Sequence, residues 1–116
     1  VIFPGYIKNV DEEIKDAAIY VSSSNYEGIS NSMIEALAMG IPSICTDCPV
    51  GGAKLMIENR KNGMLIPVGD VEALYNSMVE LVENKDLSDY ISKNAVNVRR
   101  EYSVSRIMEK WKSILR

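Results

Sequence analysis

The stretch of sequence that decides the fold is AIYVSSSNYEGISNSMIEALAMGIP, residues 18–42. It opens with a strand-like apolar run at residues 18–22 and passes through a polar loop that contains Gly28. A helix is predicted over residues 30–39, because a glycine and then a proline follow it, as they do at many helix C-termini. A strand, a loop and a helix in this order are typical of one unit of an α/β fold.

Two glutamates frame the loop and the start of the predicted helix. Glu27 precedes Gly28, and Glu35 lies in the second turn of the helix. In an open α/β sheet, ligands bind at the carboxyl ends of the strands, so we expect Glu27 to lie in the binding crevice. Carboxylates accept hydrogen bonds from hydroxyls, and a helix N-terminus donates them to phosphate. The pattern therefore favours a ligand that carries both sugar hydroxyls and phosphates.

A purely structural interpretation of the same residues is also open. Ser30, Asn31 and Ser32 belong to the residue types that cap helices for stability alone. In that interpretation Glu35 is a surface residue of an amphipathic helix. Glu27 is then part of an acid-rich helix start of the kind found in many α/β proteins.

Strand-like and helical segments alternate along the first 70 residues. Strands are predicted at residues 1–3, 18–22, 43–46 and 64–68, and short helices at residues 11–16 and 53–58. This alternation predicts the α/β class, with an incomplete Rossmann-like parallel sheet of about four strands that is flanked by helices.

Helical patterns continue after the last predicted strand, at residues 71–83, 87–101 and 103–115. The last two are expected to be two C-terminal helices that cover the sheet. Tyr75 is assigned to the core on the basis of its helical spacing. The same spacing predicts an inward face on the last helix, formed by Ile107, Met108, Trp111, Ile114 and Leu115.

The composition argues against several classes of protein. With 116 residues, 47% of them apolar and 25% charged, the chain fits one soluble globular domain or part of one. Its net charge of −3 leaves no basic excess for nucleic acid or an anionic membrane as the main partner. No apolar run reaches the roughly 18 residues of a transmembrane helix, and no secretory signal is visible. Because Val1 is not a natural start, we expect the chain to be cut from a larger protein.

Cys45 and Cys48 form a CxxC spacing, which zinc sites and redox pairs share. Zinc would need further cysteine or histidine ligands, and the chain has no third cysteine and no histidine. A redox pair is expected to open a helix, whereas this pair follows a strand-like run. We therefore predict no metal site and two reduced cysteines, as in a cytosolic protein.

The stretch at residues 22–70 resembles the C-terminal part of a family 4, retaining, GT-B glycosyltransferase. The matching pieces follow in the family's order: SSS at residues 22–24, EG at 27–28, NSMIEA at 31–36, MGIP at 39–42, TDCP at 46–49, NG at 62–63 and PVGD at 67–70. Together they are far more specific than two spaced glutamates.

The resemblance implies a role for each matching residue. Glu27 would lie by the donor sugar as the catalytic residue, and Glu35 would bond the ribose hydroxyls of the nucleotide. Backbone amides at the helix start would hold the diphosphate. The nucleotide-sugar-binding residues are accordingly Gly28, Ile29, Ser30, Asn31, Ser32 and Glu35. The reaction implied is transfer of a sugar from a nucleoside diphosphate sugar with retention, in polysaccharide or glycoconjugate biosynthesis. Such an enzyme uses no cofactor and no bound metal, since the nucleotide sugar is a substrate.

The chain departs from the family's pattern in three ways. The amino-terminal domain that binds the acceptor sugar or glycolipid is absent, and so is the Arg/Lys pair that steadies the leaving diphosphate. The loop after Pro49 has no acid until Glu58. Residues 1–116 are therefore expected to be a partial C-terminal donor-binding domain of a two-domain enzyme, and to be inactive alone. The enzyme is expected in the cytoplasm, either free or peripheral at the inner membrane face.

The same residues allow two other classes of protein to be compared with this one, and the predicted sheet has a consequence for self-association. The main alternative is a non-catalytic Rossmann-like nucleotide-sugar-binding or assembly module. A flavodoxin-like regulator is disfavoured, because neither a phospho-acceptor aspartate pocket nor a flavin phosphate loop is visible. A truncated sheet would leave an unpaired edge beside residues 1–3, so self-association through that edge is expected.

Overall fold

A computed structural model describes residues 1–115 of the chain. The strands are β1 (Tyr20–Ser22), β2 (Ser43–Thr46) and β3 (Met64–Ile66). The helices are α1 (Val10–Ile14), α2 (Asn31–Ala38), α3 (Gly52–Met56), α4 (Val71–Glu83), α5 (Lys85–Ala95), α6 (Val98–Glu101) and α7 (Val104–Ile114). Within the described part, no helix has the length and apolar character needed to cross a bilayer.

The three strands form a parallel sheet in the order β1-β2-β3. Tyr20 lies opposite Ser43, and Ile44 lies opposite Met64. Each crossover runs through a helix, α2 between β1 and β2 and α3 between β2 and β3. All four residues of the central strand β2 are buried, as expected for a parallel sheet with both faces covered.

Two apolar clusters cover the two faces of the sheet. Successive side chains of a strand point to opposite faces, so Ile44 joins one cluster and Cys45 joins the other. The first cluster combines residues of α2, α3, α5 and α6: Met33, Leu37, Cys45, Ala53, Met56, Ile57, Ala95 and Val98. The second combines residues of the sheet with α4 and α5: Ile44, Met64, Ile66, Leu81 and Ile91.

Both ends of α2 are fixed by specific bonds. At the start, the Ser30 hydroxyl accepts a hydrogen bond from the Met33 N–H at 3.4 Å, which is an N-cap. At the end, Gly40 adopts a left-handed conformation with φ +75°. The N–H groups of Gly40 and Ile41 then return to the carbonyls of Leu37 and Ala36, both at 3.0 Å, which is a Schellman motif. The sequence bounds of this helix are therefore set locally.

The C-terminal helices hold the same end of α2. The Ser92 hydroxyl donates a hydrogen bond to the Gly40 carbonyl, and the Arg99 Nε donates one to the Ala38 carbonyl. Both acceptors lie at a helix end, where main-chain carbonyls lack partners within the helix. Elements far apart in sequence thus lock the helix that carries Glu35.

The predicted strand at residues 1–3 is not present, so the sheet formed by residues 1–115 has three strands and not about four. Val1 and Phe3 are almost fully exposed. A strand exists only where a neighbour pairs with it, and a three-residue apolar run carries no information about that neighbour. β1 is consequently the open edge on that side of the described sheet.

The predicted helix at residues 87–101 is interrupted after Ala95. It forms α5 and α6, separated by Val96 and Asn97, so three helices and not two follow α4. Ile91 belongs to one apolar cluster, and Ala95 and Val98 belong to the other, so α5 contacts both clusters and α6 contacts one.

The inward face predicted for the last helix is also wrong. None of the residues of α7 is buried, and Trp111 is 57% exposed. The other four predicted core residues of this helix are exposed as well: Ile107, Met108, Ile114 and Leu115. Tyr75 is exposed too, because α4 buries the opposite side, which carries Ser77 and Leu81. Helical spacing identifies an apolar face but does not supply a surface to cover it.

Candidate functional site

Glu27 lies in the loop that follows the carboxyl end of β1, as the sequence predicts. Its main chain is fixed by a parallel bridge to the loop after β2. The Glu27 N–H donates to the Pro49 carbonyl at 2.7 Å, and the Val50 N–H donates to the Glu27 carbonyl at 2.9 Å. The side chain is exposed. The backbone is therefore held while the carboxylate is free to meet a ligand.

The start of α2 carries a short chain of hydroxyls. The hydroxyls of Tyr20 and Ser32 are 2.8 Å apart, and those of Ser32 and Ser30 are also 2.8 Å apart. Ser30 in turn accepts from the Met33 N–H. This chain orients the cap and ties the helix start to the end strand of the sheet.

The first main-chain hydrogen bond of α2 runs from the Ile34 N–H to the Ser30 carbonyl at 3.1 Å. The N–H groups of Asn31 and Ser32 therefore precede the helical ladder and keep their donors for another partner. The aligned peptide dipoles add a partial positive charge at this end. Together these features make the helix start suited to a phosphate group.

A small cleft joins Glu27 to the start of α2. Its cavity volume is only about 10 Å³. Its lining comes from the ends of β1 and β2 and from the starts of α2 and α3: Ser22, Ser24, Glu27, Gly28, Ser30, Met33, Cys45, Thr46, Cys48 and Ala53. Three of the predicted site residues, Glu27, Gly28 and Ser30, therefore meet in one place.

The other predicted site residues lie around this cleft and not in its lining. Ile29, Asn31 and Ser32 are exposed in the loop and first turn. Glu35 is exposed in the second turn of α2, one turn after Asn31. Residues four apart on a helix are neighbours on one face, so the side chains of Glu35 and Asn31 lie on the same side of α2.

A wider groove lies between α3, α5 and α6. Its cavity volume is about 400 Å³, and Glu58, Asn94 and Glu101 are part of its lining. The lining includes no residue of the β1–α2 loop. We assign the ligand site to the smaller cleft in spite of its size, because the carboxyl ends of β1 and β2 meet the capped start of α2 there, whereas the wider groove is lined by no strand residue.

Cys45 and Cys48 are both free and buried. Burial, and secondarily the neighbouring Cys48, raises the pKa of the Cys45 thiol to about 12. Cys45 is therefore protonated at neutral pH, and a protonated thiol is a poor nucleophile. Among residues 1–115, no three His, Cys, Asp or Glu side chains are grouped so that they could hold a metal ion.

Two features of this region were not predicted from the sequence. Lys54 forms an exposed ion pair with Asp47 at 3.2 Å, beside the carboxyl end of β2. Gly52, the first residue of α3, lies directly against the main chain of Gly28. The pair Gly51-Gly52 was the only local signal of that approach, since small residues mark places where two backbones come close.

The sequence matches a family model described as glycosyl transferases group 1 over residues 1–84. This match spans most of the chain, and the protein therefore belongs to that family. The parallel α/β arrangement predicted from the sequence is confirmed, and it is the arrangement of known GT-B glycosyltransferase structures.

Two curated relatives act on phosphate-containing polymers. A poly(ribitol-phosphate) alpha-N-acetylglucosaminyltransferase of Staphylococcus aureus is 34% identical over 112 residues, which cover 96% of this chain and 22% of the relative. A poly(glycerol-phosphate) alpha-glucosyltransferase of Bacillus subtilis is 29% identical over 111 residues, which cover 96% of this chain and 16% of the relative. The chain thus spans about a fifth of the length of these relatives.

One similar solved structure contains a nucleotide. It is a variant of TarM from S. aureus in complex with Fondaparinux, alpha-GlcNAc-glycerol and UDP. The match has a TM-score of 0.87 and 32% sequence identity, and it covers 97% of this chain and 23% of TarM.

Proposed function

We propose that this chain is the donor-binding part of a family 4, retaining glycosyltransferase. The full-length enzyme transfers a sugar from a nucleoside diphosphate sugar to an acceptor in polysaccharide or glycoconjugate biosynthesis. The observation that carries the proposal is the meeting of Glu27 with the capped start of α2 at one cleft. The UDP held by the similar TarM supports it and makes a uridine nucleotide the first donor to test.

Different groups of the site bind different parts of the donor. The backbone N–H groups from Gly28 to Ser32 hold the diphosphate at the positive end of α2. Glu35 accepts hydrogen bonds from the ribose hydroxyls, and Glu27 faces the sugar. The Lys54–Asp47 pair stands beside the same sheet edge, on the side of the β2–α3 loop.

The chemistry depends on stabilising the leaving diphosphate. Negative charge develops on it as the bond to the sugar breaks, and fixed N–H dipoles stabilise that charge without reorganising. The N–H groups of Asn31 and Ser32 are held in place by the capped helix before the ligand arrives. No bound metal is required by this arrangement.

The remaining partners follow from the same proposal. The acceptor sugar or glycolipid binds to another domain of the enzyme, which acts in the cytoplasm or at the inner membrane face. Isolated residues 1–116 have no transferase activity, because the closed site needs that second domain. They self-associate weakly, since β1 leaves an open sheet edge.

Substitution of Glu35 by alanine in the full-length enzyme tests the nucleotide assignment. A carboxylate that accepts from ribose hydroxyls contributes about 1.5–3 kcal/mol, so the Glu35→Ala variant is expected to bind UDP roughly 10- to 100-fold more weakly. Titration calorimetry measures this directly. Glu83→Ala is the matched control, because Glu83 is also an exposed helical glutamate but ends α4. Unchanged affinity in Glu35→Ala would refute the ribose contact.

Glu27→Ala separates an enzyme from a binding module. We expect this variant to retain most of its UDP affinity and to lose turnover of the donor sugar, because Glu27 faces the sugar and not the nucleotide. Equal turnover in the variant and the wild type would return Glu27 to a structural role. A wild-type protein that binds the nucleotide and turns over no donor would instead support the non-catalytic alternative.

A further inference from the structure

The start of α3 packs against the loop that follows Glu27. Gly52 is buried, and it lies against the peptide unit that joins Gly28 to Ile29. A Cβ atom added to Gly52 would overlap the Gly28 carbonyl oxygen and carbon and would lie 2.6 Å from the Ile29 nitrogen. All three are main-chain atoms, so no side-chain rotation could relieve the overlap.

The need for glycine at position 52 is one of space and not of backbone conformation. The neighbouring Gly51 has φ +92°, a conformation that residues with side chains rarely adopt. Gly52, in contrast, is the first residue of a helix and has no such φ. Alanine is a better helix former than glycine, so a glycine that opens a helix needs another reason.

The contact also fixes the position of the Gly28–Ile29 peptide. The Gly28 oxygen, the Gly28 carbon and the Ile29 nitrogen all lie within 2.6 Å of the Cβ position of Gly52, so this peptide unit packs directly against the start of α3. Because a peptide unit is planar, a side chain at position 52 would displace its carbonyl and its N–H together. The position of the Ile29 N–H therefore depends on the absence of a side chain at position 52.

A second restraint holds the same loop from the strand side. The hydroxyl of Thr46, the last residue of β2, donates a hydrogen bond to the Ser24 carbonyl. Thr46 is buried and lines the cleft beside Glu27. Steric contact at Gly52 and a hydrogen bond at Thr46 thus fix the two ends of the segment that contains Glu27.

We propose that Gly52 and Thr46 are positioning residues for the donor, with Gly52 allowing the Gly28–Ile29 peptide to lie where its N–H can donate to the diphosphate. The proposal rests on the proposed function for the identity of the ligand. The positioning itself rests only on the contacts of the protein. Neither residue needs to touch the nucleotide.

The test is Gly52→Ala in the full-length enzyme, with two measurements. The first is UDP affinity by calorimetry, which we expect to fall about tenfold or more, as for a lost hydrogen bond to a charged group. The second is hydrogen exchange of residues 22–34 without nucleotide, which we expect to become faster as the loop is displaced. A merely structural role for Gly52 predicts the displaced loop and the faster exchange as well, but an unchanged affinity for UDP.

Gly63→Ala is the matched control. Its added Cβ would also be too close to a neighbour, at 2.9 Å, but that neighbour is the end of the Ile57 side chain, which can move. This variant is expected to lose some thermal stability and to keep both the UDP affinity and the exchange of residues 22–34. Equal effects of the two variants on affinity would overturn the proposal.

Thr46→Val keeps the proposal testable if Gly52→Ala does not fold. It removes the hydroxyl that holds Ser24 and preserves the shape of the side chain, so we expect a smaller change in the same direction in both measurements. Unchanged affinity and unchanged exchange in the folded variants would reject the positioning roles. Faster exchange in a protein whose wild type does not bind UDP would retain the positioning and reject the uridine nucleotide as the donor.

Discussion

Helices α2 and α7 begin with the same type of serine cap but differ in how much of each helix is buried. Ser30 and Ser103 each accept a hydrogen bond from the N–H three residues later, at 3.4 Å in both helices. Both helices are amphipathic, and α7 more strongly so. Yet α2 buries Met33, Ala36 and Leu37, whereas α7 buries nothing.

The difference separates two levels of information in a sequence. Caps and periodicity determine where a helix forms and which side of it is apolar. Burial depends on a second surface, and it provides most of the stability of a helix in a protein. Within residues 1–115, β2, α3, α5 and α6 provide such a second surface for α2, and no element buries a residue of α7.

The largest expected effect comes from emptying the core under α2. Leu37 is fully buried, so Leu37→Ala is expected to lower the free energy of unfolding of the 116-residue chain by about 2–5 kcal/mol. Ile114→Ala in α7 removes a comparable side chain that is exposed, and it should change the same quantity by less than about 0.5 kcal/mol. Urea titration followed by circular dichroism measures both. Similar losses in the two variants would mean that α7 is packed and that the comparison is false.

The two serine caps give a sharper form of the same comparison. Ser30→Ala removes the cap of a packed helix, so it should lower the global free energy of unfolding by about 0.5–2 kcal/mol. Ser103→Ala removes the same bond from α7. Because no residue of α7 is buried, the loss should appear as local fraying and leave the global value unchanged.

Urea titration measures the global free energy of unfolding of both cap variants. Hydrogen exchange of residues 103–115 measures the local fraying of α7. Faster exchange confined to α7 in Ser103→Ala is the expected result. A global loss in Ser103→Ala equal to that in Ser30→Ala would show that the two helices unfold as one unit.

Local patterns predicted those parts of the fold that depend on local chemistry. The helix predicted at residues 71–83 has the bounds of α4, because Asp70 accepts a hydrogen bond from the Ala73 N–H and so begins the helix. The predicted strand at residues 1–3 and the inward face of the last helix were wrong. Both predictions concerned partners, and an apolar run or an apolar face does not identify the surface that meets it.

The candidate site also combines a part that the sequence predicts with a part that depends on packing. The strand-loop-helix order places Glu27 at the carboxyl edge of the sheet, and the sequence was enough to predict this. The contact between Gly52 and Gly28 joins positions that are 24 residues apart and depends on how α3 docks. No spacing rule predicts such a contact, because it arises from packing.

The smallest expected effect concerns the exposed apolar surface itself. Trp111→Ala should change the free energy of unfolding of the monomer by less than about 0.5 kcal/mol, because Trp111 is 57% exposed and lies on a helix without a buried residue. Its influence should be on association instead. An exposed apolar face and an open strand edge are the two features by which the isolated chain can pair with a second copy.

Light scattering across a concentration series distinguishes these two surfaces. Weak association through the edge of β1 is the expected result, so Val21→Lys should lower the apparent mass at high concentration, since a charged side chain on an edge strand opposes pairing. Trp111→Ala should leave that mass unchanged. The opposite pattern would assign association to α7. The association is expected to be weak because the exposed edge is three residues long and offers few main-chain hydrogen bonds. A clean monomer at every concentration would reject the edge of β1 as an association surface.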